Sequence, residues 1–210
     1  MIATLHLKGT TEQVHARDWL SKFNGLELQG VIFDCDGTLV DSAQAHCQAM
    51  QAAAIDQGCE MAADWYMART GLNRLGLFEA FRDRFNPNFD VPRAVSISIS
   101  NYNRHLNRIH PIRQTSALLR VLKSQKIPIA VATNSEQEIA RQTLTSTGLF
   151  KDIDVLVSIS DKVEPKPAPA LFQLAAEKLQ LRHNQVVVFE DSKQGVDAAL
   201  NAQMPVFELP

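Results

Sequence analysis

The chain has 210 residues, of which 45% are hydrophobic and 21% charged, with a formal net charge of −2. That is the profile of an ordinary soluble globule, long enough for one domain or a domain carrying an insert; it excludes a basic field for nucleic acid or a polybasic membrane anchor. No apolar run approaches the roughly 20 residues a membrane-spanning helix needs, no signal-peptide pattern opens the chain, and three cysteines without CxxC spacing (Cys35, Cys47, Cys59) indicate free thiols in a reducing, cytoplasmic setting.

Residues 1–29 are the least patterned part. Ile2 to Leu7 reads as a short strand, and Thr10-Thr11-Glu12 as a helix start. Val14, Trp19, Leu20 and Phe23 would then line one helix face, with His15 and Arg17 in solvent. The segment is expected to be an N-terminal extension packed on the core surface.

The run Val31-Ile32-Phe33 reads as a buried strand, followed by Asp34-Cys35-Asp36-Gly37-Thr38. Aspartates are poor strand residues, so both belong at the strand exit, where Gly37 turns the backbone. Alternation puts Asp34 and Asp36 on one side of the chain and Cys35 on the other. Two such carboxylates need a cation between them or a retained proton. The pair is therefore a candidate for a hard divalent metal, for acid–base work, or for both.

After Ser42 the pattern becomes helical: Ala43 to Gly58, Ala62 to Arg69, Leu75 to Phe85 and Val91 to Leu106. A Val95–Ile99 alternation is ambiguous between helix and strand. Residues 44–110 therefore read as an all-helical insert ending near Pro111. From Gln114 onward, helices and strands alternate. Strands are expected at 127–132, 154–158, 186–189 and 205–207, and helices at 115–124, 136–147, 168–179 and 192–202. Unalternating apolar strands between helices indicate a parallel sheet covered on both faces.

The polar outliers follow these strands. Asp34 and Asp36 come after the first strand of this alternation, Thr133-Asn134-Ser135 after the second, Asp161 to Pro167 soon after the third, and Glu190-Asp191-Ser192 after the fourth. In a parallel sheet these are all carboxyl ends, where open α/β sheets bind ligands. Gathered there, each close carboxylate pair would cost about 4 kcal/mol at an effective dielectric near 20. Magnesium, an oxygen-seeking ion, would remove that cost, whereas the near absence of His and Cys from the four clusters argues against zinc. Lys166 and the Thr133 hydroxyl would suit a phosphate beside such an ion.

Asp34-Cys35-Asp36-Gly37-Thr38, Thr133-Asn134, Lys166-Pro167 and Glu190-Asp191-Ser192 resemble the four motifs of the haloacid dehalogenase-like (HAD) hydrolases, in order and spacing over residues 30–210. The helical insert is similar to that of the subfamily holding β-phosphoglucomutase and many sugar-phosphate phosphatases. The resemblance implies a three-layer, Rossmann-like parallel-sheet core at residues 30–43 and 111–210, with residues 44–110 as a helical cap. It implies Asp34 as nucleophile, forming an aspartyl-phosphate, and Asp36 as general acid and base. It implies Thr133, Asn134 and Lys166 as the phosphoryl-binding set. Mg²⁺ would be held by Asp34, the Asp36 carbonyl, Asp191 and Glu190. Arg74 in the cap's Gly71–Arg74 loop, and His46 near the hinge, are candidate substrate contacts.

The expected activity is hydrolysis of a small phosphomonoester, such as a sugar phosphate, by a monomer or weak homodimer with no nucleic-acid or membrane partner. A phosphomutase is the first alternative; it would call for a cap lysine, and none occurs between Lys22 and Lys123. A catalytically idle binding or regulatory module is the second. A true dehalogenase would lack the second aspartate that Asp36 supplies.

Overall fold

The computed structural model describes residues 1–210. Its centre is a seven-stranded sheet in the order β2 (Thr10–His15), β1 (Ile2–Leu7), β9 (Val206–Glu208), β8 (Val186–Glu190), β3 (Gly30–Phe33), β6 (Ile129–Thr133), β7 (Val155–Ser158). β3 pairs in parallel with both β6 and β8; β7 and β9 continue the parallel set on either side. The chain builds outward from β3 in one direction through β6 and β7, then returns to build the other side through β8 and β9. Loops leaving the carboxyl ends of β3, β6 and β8 therefore diverge and leave a crevice between them.

Strand periodicity sorts the core. Val31, Phe33, Val131, Phe189 and Phe207 face one apolar cluster, while Ile32, Ala130, Ala132, Val188 and Val206 face the other. α6 (Arg113–Ser124) and α7 (Gln137–Ser146) send Leu119, Leu122, Ile139 and Leu144 into the first cluster, whereas α8 (Ala170–Lys178) and α9 (Lys193–Asn201) cover the second. Layers of helix on both faces leave only the strand ends open to ligand.

Between β3 and α6 the chain makes β4 (Val40–Asp41) and then four helices: α2 (Ala43–Ile55), α3 (Ala63–Met67), α4 (Arg74–Phe85) and α5 (Val91–Asn103). β5 (His110–Pro111) then pairs antiparallel with β4, so the excursion leaves and re-enters at one short ribbon. The helices hold an apolar cluster of their own, including Met50, Met61, Phe78, Phe81 and Phe89. The ambiguous Val95–Ile99 stretch lies inside α5, which an Asp90 side chain caps by accepting from Arg93 N–H at 2.9 Å. No helix is long and apolar enough to cross a membrane.

The N-terminal segment differs from expectation. Residues Thr10–His15 form a strand, β2, rather than opening a helix. Lys8 (φ 48°) and Gly9 (φ 78°) make a two-residue turn with both φ positive, the geometry that folds a strand back on itself. β2 therefore pairs antiparallel with β1 (Ile2–Leu7), which in turn pairs with β9. Val14 lies on a strand, and the helix, α1, runs only from Trp19 to Gly25. Nor does the segment sit on the core surface. Ala3, Leu5 and Trp19 belong to the main apolar cluster, and the Trp19 ring packs edge-on against Phe189 at 5.2 Å. His15 and Arg17 are exposed.

Candidate active site

The strand exits bring the acidic residues together. Asp34 N–H donates to the Phe189 carbonyl at 2.9 Å, which extends the β3–β8 pairing by one residue and fixes Asp34 beside Glu190. Gly37 has φ 85°, and a Cβ there would lie 2.1 Å from Asp191 Oδ2, so only glycine lets the Asp191 carboxylate reach the β3 exit. Thr38 Oγ1 donates to Asp191 Oδ1 at 3.0 Å and orients it. Glu190 is seated from below: its Oε1 accepts from Ser192 N (2.9 Å) and Ser192 Oγ (2.8 Å). A Cβ on Gly195 would fall 1.9 Å from the Glu190 carboxyl carbon.

Oxygen atoms of Asp34, Glu190 and Asp191 lie within 4.8 Å of one another. Lys166 Nζ donates to Asp34 Oδ1 at 2.5 Å and to Glu190 Oε2 at 2.7 Å, with its ammonium 4.8 Å from the Phe172 ring centre. Burial alone would push the lysine toward neutrality, but the two carboxylates outweigh it and drive its pKa up. Burial and the neighbouring Glu190 raise Asp34 well above the usual carboxylate range, and the same two causes push Asp191 up to about 7. With all three carboxyls ionised, one ammonium would leave two negative charges uncompensated. An all-oxygen donor set with that deficit fits a hard divalent cation such as Mg²⁺ and suits no soft metal.

Asp36 points elsewhere. Its Oδ1 accepts from Ser42 Oγ at 2.6 Å and pairs with His46 Nε2 at 3.1 Å, and its Oδ2 accepts from Ser135 Oγ at 2.8 Å. Burial raises its pKa, yet the charge and hydrogen bond of His46 and the two serine hydroxyls overcome this and hold it well below the ordinary value. The His46 ring is fixed in turn by stacking on Tyr102 at 4.2 Å, and the Tyr102 hydroxyl bonds Thr143 Oγ1 at 2.8 Å.

Thr133 ends β6 with its hydroxyl accepting from Ser135 N–H at 3.0 Å. The Asn134 side chain acts as a clamp. Its Oδ1 accepts from Lys166 N–H (2.9 Å), and its Nδ2 donates to the Lys166 carbonyl (3.3 Å) and to the Gly71 carbonyl of the helical insert (3.1 Å). Arg74, the first residue of α4, is buried; its Nε donates to Glu136 at 3.1 Å and its Nη1 to Ser98 Oγ at 2.9 Å.

One cavity of about 230 Å³ lies between the strand ends and the insert. Asp34, Asp36, Thr133, Asn134, Lys166, Glu190, Asp191, His46 and Arg74 all line it. Arg74 does so as half of an ion pair, and His46 as the partner of Asp36. Sequence reading did not assign roles to Ser42, Ser135, Thr38 or Glu136. Thr38 lies within the first motif, and Ser42 and Ser135 lie beside motif residues, which is the one signal available; Glu136 carries none.

Residues 31–208 match the family model described as haloacid dehalogenase-like hydrolase. The chain is 30% identical over 184 residues to the fructose-1-phosphate phosphatase YqaB of Escherichia coli, covering 86% of this chain and 95% of that one. It is 30% identical over 188 residues to a phosphorylated carbohydrates phosphatase of Thermotoga maritima, covering 83% and 82% respectively. Among solved structures, CbbY from Rhodobacter sphaeroides in complex with phosphate superposes with a TM-score of 0.77 at 19% identity, over 85% of this chain and 84% of that one.

Proposed function

The chain belongs to the haloacid dehalogenase-like hydrolases, and from that premise we propose that it is a Mg²⁺-dependent phosphatase of a small phosphorylated metabolite, a sugar phosphate in particular. The observation that carries the reading is one cavity lined by a lysine-paired buried Asp34, two further carboxylates within 4.8 Å of it, and a separately held Asp36. The two relatives named above, a fructose-1-phosphate phosphatase and a phosphorylated carbohydrates phosphatase, support the substrate class.

Asp34, Glu190, Asp191 and the Asp36 carbonyl would hold the ion. When bound it would offset carboxylate charge and draw electron density from the phosphoryl oxygens. Asp34 carboxylate attacks phosphorus, forming an Asp34 O–P bond as the ester P–O bond breaks. Asp36 gives its proton to the departing alkoxide. A water then attacks phosphorus, Asp36 takes its proton, the Asp34 O–P bond breaks, and inorganic phosphate leaves. The hydrogen bonds on Asp36 favour its ionised form, the form the second step needs. Its proton for the first step has a route through His46 Nε2, 3.1 Å away. Lys166 and the Thr133 hydroxyl border the same space, where they neutralise and orient the transferring group. Residues 44–110 would act as a cap over that space.

Phosphate release from a panel of phosphomonoesters, with Mg²⁺ and with EDTA, tests the reading. Asp34→Asn is expected to lose turnover by about 10⁴-fold or more while keeping the wild-type fold, because Lys166 retains Glu190. Near-normal activity of that variant, or full activity in EDTA, would overturn it.

A further inference from the structure

The cavity has two ends. At one, Lys166 sits among the carboxylates of Asp34, Glu190 and Asp191; at the other, where the insert meets the loop after β6, sit Arg74 and Glu136. An unpaired guanidinium facing the cavity would suit a second anionic group on the substrate. That of Arg74 is already taken. The Arg74 side chain is only 3% exposed, and its Nε faces both carboxylate oxygens of Glu136, at 3.1 and 3.3 Å. Its Nη1 is tied to Ser98 Oγ, which itself donates to the Val95 carbonyl at 2.8 Å. Releasing the guanidinium would break a buried, multiply bonded pair. Glu136 is the open member, with 25% of its side chain exposed.

The other cation at this end, Arg69, also lines the cavity, with its guanidinium already engaged: it lies 4.2 Å from the Trp65 ring centre, and its Nη1 donates to the Trp65 carbonyl. A substrate's leaving group therefore meets a carboxylate backed by a neutralised arginine, flanked by Arg69 held against Trp65 and by uncharged donors and acceptors on Ser135, Asn134, Tyr66 and Thr70.

Resting on the phosphatase reading, we propose that Glu136 is a specificity-determining residue: by closing Arg74 into an ion pair it selects phosphomonoesters whose leaving group is uncharged and hydroxyl-bearing, and rejects those carrying a second phosphate or a carboxylate. The carboxylate accepts hydroxyl hydrogen bonds and repels a second anion.

The test compares kcat/KM for a hexose monophosphate, the matching hexose bisphosphate and 2-phosphoglycolate. The wild type is expected to favour the monophosphate by about tenfold or more over both anionic-tailed esters, the scale of one like-charge contact. Glu136→Gln, which keeps an oxygen for Arg74 Nε, is expected to narrow or invert that ratio by about tenfold, and Glu136→Gln with Arg74→Gln to lose the gain. A wild-type preference for the bisphosphate or for phosphoglycolate overturns the proposal, even if the variants fail to fold. So does a folded Glu136→Gln protein with an unchanged ratio. Absence of phosphate release from every ester would sink the hydrolase reading and this inference together; release with the wrong ranking sinks the inference alone.

Discussion

At the scale of single residues, the site is governed by how much charge three strand ends force into one place. Asp191 shows the consequence. Burial and Glu190 lift its carboxyl from 3.8 to about 7, so the native metal-free protein holds a proton there that the unfolded chain has lost. Between about pH 4 and 7 this group makes the metal-free protein less stable as pH rises. A divalent cation competes with that proton for the same oxygens, so its affinity grows as pH passes 7. Mg²⁺ is therefore expected to raise the melting temperature more at pH 8 than at pH 6, read by thermal denaturation with the ion and with EDTA. An equal shift at both pH values would contradict a metal bound through Asp191. Asp36 behaves in the opposite sense. Its carboxylate is held ionised by His46, Ser42 and Ser135, so two aspartates one residue apart carry opposite perturbations. Their neighbours separate them: the Glu190 charge lies against Asp34, whereas His46 and two serine hydroxyls hold Asp36.

At the scale of elements, the helix termini set the geometry. Asn73 caps α4 by accepting from Gly76 N–H at 2.8 Å and so positions Arg74, the first residue of that helix. Asn73→Ala is expected to cost about 1 kcal/mol in urea denaturation. The same variant should loosen the Arg74–Glu136 pair and shift substrate preference in the direction of Glu136→Gln. A variant with wild-type stability and wild-type preference would detach the cap from the site. Ser192 works similarly at α9, where its Oγ accepts from Gly195 N–H at 3.1 Å and donates to Glu190. One hydroxyl starts the helix and seats a carboxylate. These roles are half visible in sequence: a Ser or Asn before a helix reads as a cap, but its second bond reaches a residue the pattern does not name.

At the scale of the whole molecule, the first 29 residues are part of the fold. β1 adds to the β9 edge and Trp19 fills the space beside Phe189 and Phe207. Trp19→Ala is expected to destabilise the protein by about 3–5 kcal/mol in chemical denaturation, the cost of emptying a fully buried aromatic site. A loss below about 1 kcal/mol would return the segment to the role of a surface extension. We also propose that residues 44–110 form a unit distinct from the sheet, given their separate apolar cluster and single point of exit and return at β4–β5. Asn134 with Gly71 and Glu136 with Arg74 join it to the sheet around the cavity.

What the sequence determined by itself was the parallel core and the edge at which its polar clusters collect. Apolar runs separated by helices have one covered arrangement, and Asp34, Thr133 and Glu190 close their strands in that arrangement. The hairpin of β1 and β2 escaped because its turn, Lys8-Gly9, carries only a weak signal beside the stronger helix-start pattern of Thr10-Thr11-Glu12. Tertiary structure alone decided which charges meet. Arg74 and Glu136 are 62 positions apart, Lys166 and Asp34 are 132 apart, and Ser135 and Asp36 are 99 apart. Each pairing depends on how the insert and successive strand ends pack, and no local periodicity encodes a distance between side chains that far apart along the chain.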